Sequence, residues 1–379
     1  MAHSNRISGL TLLLVAFVVV PFGLSASDIP PAPAPERATT GIDPVTLDPG
    51  ESQPAGPRSD TGEHAPVPYD LSTPDDPRAP EDRTPEAVPD PVRSIIIPDQ
   101  RPVPTVEELA VESRWPAEAR ASGGVLAHRQ VIAYYGHPNS RRMGVLGETP
   151  IEEMTEKLRA RAAEYDALTG GIGVAPAFHI IFATVHPDAT VGVIREAQLL
   201  EYIEFAAEND LLVFLDHQIG SGTVEWAMRK MLPYLRYPHV HLAFDPEWAT
   251  DMPAQVIGGV TADDVNLAQQ MIQEYLIEHG LPGPRMLVVH QFNWRMIIDR
   301  ERVRADFPLV QLIHHADGWG SPAQKRDSWR FNNIATNIPL KGFKLFYPKT
   351  WRDGGYDVPL MTPADVLQLE PVPVYIQYQ

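Results

Sequence analysis

The chain has 379 residues, 39 prolines, no cysteine and a formal net charge of -18, and 44% of its residues are hydrophobic. Such a length holds one large domain or two ordinary ones. The acidic balance argues against nucleic acid as a partner, since binding phosphates takes a basic surface, and the lack of cysteine excludes disulfides, thiolate zinc sites and cysteine nucleophiles together.

In chain order, residues 1–27 read as a secretory signal. Arg6 supplies a positive start, Leu10 to Val20 is an almost unbroken apolar run, and Ser25-Ala26-Ser27 offers small residues for cleavage. An uncleaved membrane anchor is the competing reading, because Ile7 to Ala26 is just long enough to span. Either reading places the remainder outside the cytoplasm, secreted or in the cell envelope.

Residues 28–104 are different material. They hold 19 of the 39 prolines, one aromatic (Tyr69) and 15 acidic against 6 basic residues, a net of -9 and half the total charge. A segment this poor in apolar surface cannot offset its ordering entropy, so the expectation is a disordered, proline-stiffened acidic spacer.

From about residue 105 to 379 the pattern is globular. Eight short apolar runs read as strands: Val131–Gly136, Phe178–Val185, Leu211–His217, Val240–Asp245, Met286–Gln291, Val310–His315, Phe343–Tyr347 and Val374–Tyr378. Helical periodicity marks Glu152–Leu168, Val193–Asn209, Val224–Leu235 and Asp263–His279. Start signals stand at Thr149-Pro150, Ser321-Pro322 and Thr362-Pro363, each a cap residue followed by proline, and Thr261 with Asp264 is an acidic capping box. Eight strands alternating with helices predict an α/β fold, the (β/α)8 TIM-like barrel. A doubly wound open sheet is the runner-up. Strand eight ends the chain, so Val106–Ala121 is expected to fill the vacant helix position or to cap the barrel bottom.

In this fold reacting groups come from the C-terminal strand ends. Those ends deliver Tyr135 and His137, Thr184 and His186, Asp216, His217 and Gln218, Asp245, Glu247 and Trp248, His290, Gln291 and Asn293, His315, Asp317 and Trp319, Tyr347 and Lys349, and Gln377 and Gln379. Apolar strand bodies switch to polar groups at one end, strand after strand, which marks that face as the candidate site. The stretch Pro348–Leu360, with Trp351 and Tyr356, is the expected lid.

Asp245-Pro246-Glu247 is the sharpest local feature. Two carboxyls facing one cavity push their pKa values apart, so one can remain an acid while the other ionises. Glycoside cleavage needs that division. The expected catalytic set is Glu247 as acid, Asp245 as its modulator, and Asp216 or Asp317 as nucleophile or base. Trp248 and Trp319 would offer flat faces to sugar rings. His137, His217, Gln218, His290, Gln291, His315, Tyr347, Lys349 and Gln377 complete the expected substrate-binding set.

The Asp-x-Glu at the end of strand four resembles that of barrel glycosidases of the lysozyme-like and chitinase-like families. The resemblance implies Glu247 as the acid and Asp245 as its assistant. The sequence departs from the chitinase-like pattern at His241 and Ala243, where further aspartates are expected, and from the lysozyme-like pattern at Tyr135-Gly136-His137, where an aspartate ends strand one. Ala133-Tyr-Tyr-Gly-His-Pro, Phe244-Asp-Pro-Glu and Pro373-Val-Pro-Val-Tyr-Ile-Gln-Tyr look similar to a group of exported bacterial proteins, a resemblance that implies no activity.

The leading expectation is an exported glycoside hydrolase-like enzyme acting on an envelope or environmental polysaccharide, with no cofactor, no nucleic-acid partner, and membrane contact only if the apolar leader is retained. Two alternatives stand beside it. One is a metal-dependent hydrolase drawing on His137, His186, Asp216, His217, Asp245, Glu247, His290, His315 and Asp317. The other is a barrel that binds a glycan or peptide without turnover. His239 and His241, spaced like ligands, sit at the start of strand four and read as barrel-floor residues. Adjacent His314 and His315 point to opposite faces, and His315 shares its face with Asp317.

Overall fold

The computed structural model describes residues 103–348 and 355–379. The expectations for residues 1–27, nearly all of the spacer, Lys349 and Trp351 lie outside the described residues.

All eight expected strands form: β1 (Arg129–Gly136), β2 (Gly173–Val185), β3 (Leu212–Gln218), β4 (Val240–Asp245), β5 (Arg285–Gln291), β6 (Val310–Ala316), β7 (Leu340–Leu345) and β8 (Tyr375–Tyr378). Each pairs in parallel with the next in chain order, and β1 pairs with β8 through Val131 opposite Tyr375. The sheet therefore closes into an eight-stranded parallel barrel, and the open-sheet alternative falls with that last pairing. The strands read as continuous apolar runs because both faces are buried, one by the barrel interior and one by the helices.

The helices α1 (Ile151–Thr169), α2 (Glu196–Glu208), α3 (Val224–Met231), α4 (Ala262–Glu278), α5 (Pro322–Asn333) and α6 (Pro363–Leu367) follow β1, β2, β3, β4, β6 and β7. Thr261, Ser321 and Thr362 cap α4, α5 and α6 through reciprocal bonds with Asp264, Gln324 and Asp365. At α1 the cap moves by one residue: Pro150 is the cap and Ile151 the first helical position. Between β5 and β6 the described residues hold two single 3-10 turns, Trp294–Met296 and Arg300–Arg302, in place of a helix. β2 starts five residues before its expected start, at Gly173, and contains Pro176, which precedes the first residue paired with β3. Among the described residues, no helix is long and apolar enough to cross a membrane.

Of the two places expected for Val106–Ala121, the structure shows the first, and the residues just after it take the second. Short turns at Val106–Leu109 and Val111–Arg114 pack on α1. Arg114 donates to the carbonyls of Leu367 and Leu369 and pairs with Glu370 at 2.5 Å, which places this segment between α1 and the β7–β8 connection, in the berth of the eighth helix. Further on, Gln311, low on β6, donates to Ser122 Oγ (2.6 Å) and to the Gly123 carbonyl (2.8 Å), so residues 122–123 lie across the barrel floor. The Trp115 indole donates to the Leu126 carbonyl at 2.9 Å and anchors the crossing.

Candidate active site

Alternation along the strands decides which strand-end groups look inward. Tyr135, His179, Asp216, Asp245, His290, His315, Lys344, Tyr375 and Gln377 lie on the inner face, with Asp317 just past β6, and all are at most a few per cent exposed. Asp216 Oδ2 stands 3.1 Å from His179 Nε2 and 3.3 Å from His290 Nε2. The other nitrogen of His290, Nδ1, meets Asp317 Oδ2 at 3.1 Å. Asp317 Oδ1 in turn meets Lys344 Nζ at 3.1 Å, and that ammonium lies 4.3 Å from the centre of the Tyr135 ring. On the far side, the Tyr375 hydroxyl and Gln377 Nε2 reach His179 Nδ1 at 2.6 and 3.0 Å. His315 completes the centre, its ring 5.0 Å from that of His290. Gly342 makes room for it, since a β-carbon there would overlap its imidazole.

The charges set one another. Burial works against a charged His290, but Asp317 and Asp216 on either side outweigh it and raise its pKa to about 10. Burial would raise Asp216 and Asp317 as well, yet His290 for the first and Lys344 with His290 for the second hold both well below the usual carboxylate range. His179 falls to about 4 by burial, and His315 is kept neutral by burial and by the charge on His290. Two carboxylates and two cations thus form a neutral, buried network.

Above it sit Asp245 and Glu247. The chain turns sharply at Pro246, and Asp245 Oδ1 accepts the Glu247 backbone N–H at 3.0 Å. Burial, followed by Asp317 and Asp216, raises Asp245 to about 6 against the pull of His290 and Lys344. Burial, followed by Asp245 and Asp317, raises half-buried Glu247 to about 8. On these shifts one carboxyl is an acid near neutral pH and its neighbour largely ionised. Burial, followed by Asp216, Asp245, Asp317 and Glu247, holds the Tyr135 hydroxyl well above its ordinary pKa, so it stays protonated.

Not every expected residue joins them. His217 faces outward, packed between Phe182 and Trp226, and burial holds it neutral with a pKa of about 4. Gln291 also turns outward, where its carbonyl oxygen accepts from His314 (2.7 Å) and Arg300 (2.8 Å). Tyr347 lies on the outer side with Tyr134 and Tyr378. These three are wall residues, because neighbouring strand positions alternate faces and Asp216, His290 and Lys344 hold the inward ones. Gln218 accepts the Val185 N–H at 2.8 Å and joins β2 to β3 at the rim. His137 is half-buried in the loop after β1, its Nδ1 accepting the Asn139 N–H, and His186 is exposed on the turn after β2. Trp248 is half-buried beside Glu247, while Trp319 is 48% exposed with the Gly355 backbone lying on its ring. His241 is buried near the floor and accepts the Met286 N–H, and His314 faces outward as expected.

Two central residues escape a strand-end reading, His179 and Lys344. A bulge in β2 between Ile181 and Ala183 breaks the two-residue count back from Thr184 and hides His179. Lys344 lies inside an apolar run, and its signal is that a lysine in a doubly buried strand needs an acidic partner. Two groups, His179 with Asp216 and His290, and His290 with His315 and Asp317, have ligand atoms close enough to hold a metal ion.

No protein-family model matches the chain, and no curated protein matches it. Among solved structures, a chitinase from Chromobacterium violaceum ATCC 12472 is similar at 13% identity and a TM-score of 0.33, over 57% of this chain and 68% of that one. The Bacillus cereus spore cortex-lytic enzyme SleL is similar at 13% identity and 0.32, over 57% of this chain and 51% of that one, so the matched part spans about half its length. The ICChI chitinase from Ipomoea carnea is similar at 14% identity and 0.39, over 65% of this chain and 93% of that one. Likenesses this distant carry no argument about activity, and the barrel stands on its own strand pairing.

Proposed function

We propose that this barrel is a glycoside hydrolase-like enzyme with Glu247 as its general acid. The observation that carries the reading is the carboxyl pair at the end of β4, where Glu247 keeps its proton up to about 8 while Asp245 loses its own at about 6. A proton donor for the leaving oxygen and an anion for the positive charge that develops on the sugar are what glycoside cleavage asks of a protein. Glu247 would give the proton. Asp245, held against the Glu247 N–H, would face the sugar ring and orient the attacking group. Asp216 and Asp317, expected as nucleophile or base, have their oxygens turned to His179, His290 and Lys344. That engagement favours a different part for them, as the fixed charges that set the acid pair. Half-buried Trp248 and exposed Trp319 offer apolar faces at the same mouth. The signal-like leader and proline-rich segment in the sequence favour a polysaccharide outside the cytoplasm as substrate.

The test is reducing-end release from a panel of cell-wall and plant polysaccharides by the wild type and by Glu247→Gln. Release by the wild type that the variant loses supports the reading. No release by folded wild-type protein overturns it, and equal release by the variant removes Glu247 as the acid.

A further inference from the structure

At the centre of the barrel three side chains from three strands converge in a way that ion pairing does not account for. His179 Nε2 and His290 Nε2 both lie within ordinary hydrogen-bond distance of Asp216 Oδ2, at 3.1 and 3.3 Å. Yet neither nitrogen, nor either oxygen of Asp216, makes a hydrogen bond. Buried polar groups are seldom left so, and three at one place ask for a common partner.

The spacing fits one. Donors about 2.0–2.1 Å from a tetrahedral zinc ion stand about 3.3–3.4 Å apart, close to these two separations, and all three ligand atoms lie within 4.8 Å of one another. The far side of each ring is braced as metal-bound imidazoles are, by a carboxylate or another polar group on the second nitrogen. Asp317 Oδ2 takes His290 Nδ1 at 3.1 Å, and Tyr375 with Gln377 holds His179 Nδ1. The Gln377 oxygen has no partner as placed. Turning that amide over, an assignment set by the hydrogen-bond network, lets the oxygen accept the His179 Nδ1 proton and leaves Nε2 a lone pair facing Asp216. The charges also balance once the metal displaces the His290 proton: a dication with Lys344 is then offset by Asp216, Asp317 and Asp245.

We propose that His179, Asp216 and His290 form a binding site for a first-row divalent cation, zinc or a close relative, with Asp317 positioning His290. Two imidazoles and one carboxylate suit that class better than calcium or magnesium, which take oxygen donors. Three protein donors leave a further position for water. The site goes beyond the glycosidase reading and does not rest on it, because the test involves no substrate.

The experiment titrates the full chain, stripped with EDTA and returned to metal-free buffer, with cobalt(II) and then zinc(II), reading the cobalt absorption spectrum and the bound metal by elemental analysis. The expected result is one equivalent of cobalt with the intense visible bands of tetrahedral coordination, displaced by zinc. Asp216→Asn and His290→Gln should abolish uptake, and Asp317→Asn should weaken it about 10–100-fold. His217→Gln, which alters a buried imidazole on the outer wall, should leave it intact. Near-UV circular dichroism checks each variant's fold; should the ligand variants unfold, the wild-type spectrum still decides. No stoichiometric uptake by the wild type, an octahedral spectrum, or uptake that survives both folded ligand variants overturns the proposal.

Discussion

Replacing Glu247 by glutamine tests the acid without any substrate. The side chain is nearly unchanged in shape, but it can no longer ionise. In the unfolded chain a glutamate releases its proton near 4.5, and in the fold Glu247 keeps it to about 8. Between those values the folded state holds a proton that the unfolded state has lost, so wild-type stability falls as pH rises, by about 1.4 kcal/mol per pH unit. Glutamine has no such dependence. The stability of Glu247→Gln relative to wild type should therefore be flat below about pH 4, climb through the window up to about 8, and level off above it. The full window corresponds to about 5 kcal/mol, and solvent reaching a half-buried side chain brings the expected gain to about 2–4 kcal/mol. Urea unfolding of both proteins at pH values of about 5, 7 and 9, in EDTA to hold the central charges fixed, measures it. A stability difference that stays constant across this range would refute the protonated Glu247 and with it the proposed acid.

Two further outcomes follow from the same geometry. If the barrel cleaves glycans, turnover by EDTA-treated protein should rise through about pH 6 as Asp245 ionises and fall through about pH 8 as Glu247 loses its proton, a bell that Glu247→Gln abolishes at every pH; a profile still rising above pH 9 would contradict the assignment. Gly342→Ala should cost about 1–3 kcal/mol in thermal or urea unfolding, because the new methyl group would overlap His315 Nδ1 and stand 3.1 Å from Ile313 Cγ2, and an unchanged midpoint would mean that the ring gives way at no cost.

The barrel was legible because both faces of a parallel strand are buried, so each strand appears as an apolar run bounded by turn residues. The start of β2 was hidden by Pro176, which reads as a break but sits where β2 has only β1 beside it. At the site, Asp216, Asp245, His290, His315, Asp317 and Gln377 were found from their positions at strand ends. His217, Gln291 and Tyr347 were drawn in with them because a run of polar residues does not reveal which one faces inward. That face depends on register across the barrel, which is a property of the whole ring. His179 was lost to a bulge and Lys344 to the apolar residues around it, so the charge balance at the centre became visible only with the strands in place.

β1 touches both β2 and β8, and the turns ahead of it lean on residues 367–370, more than 250 positions away. Assembly of this domain cannot finish in order from one end. Until residues 375–378 arrive, β1 and β7 each present an unpaired edge of buried-type apolar strand, the kind of surface on which chains pair with one another. Contacts this remote in sequence also make closure slow. Loss of the β8 strand would leave a sheet with two sticky borders. In this barrel one four-residue strand, β8, covers the open edges of both β1 and β7.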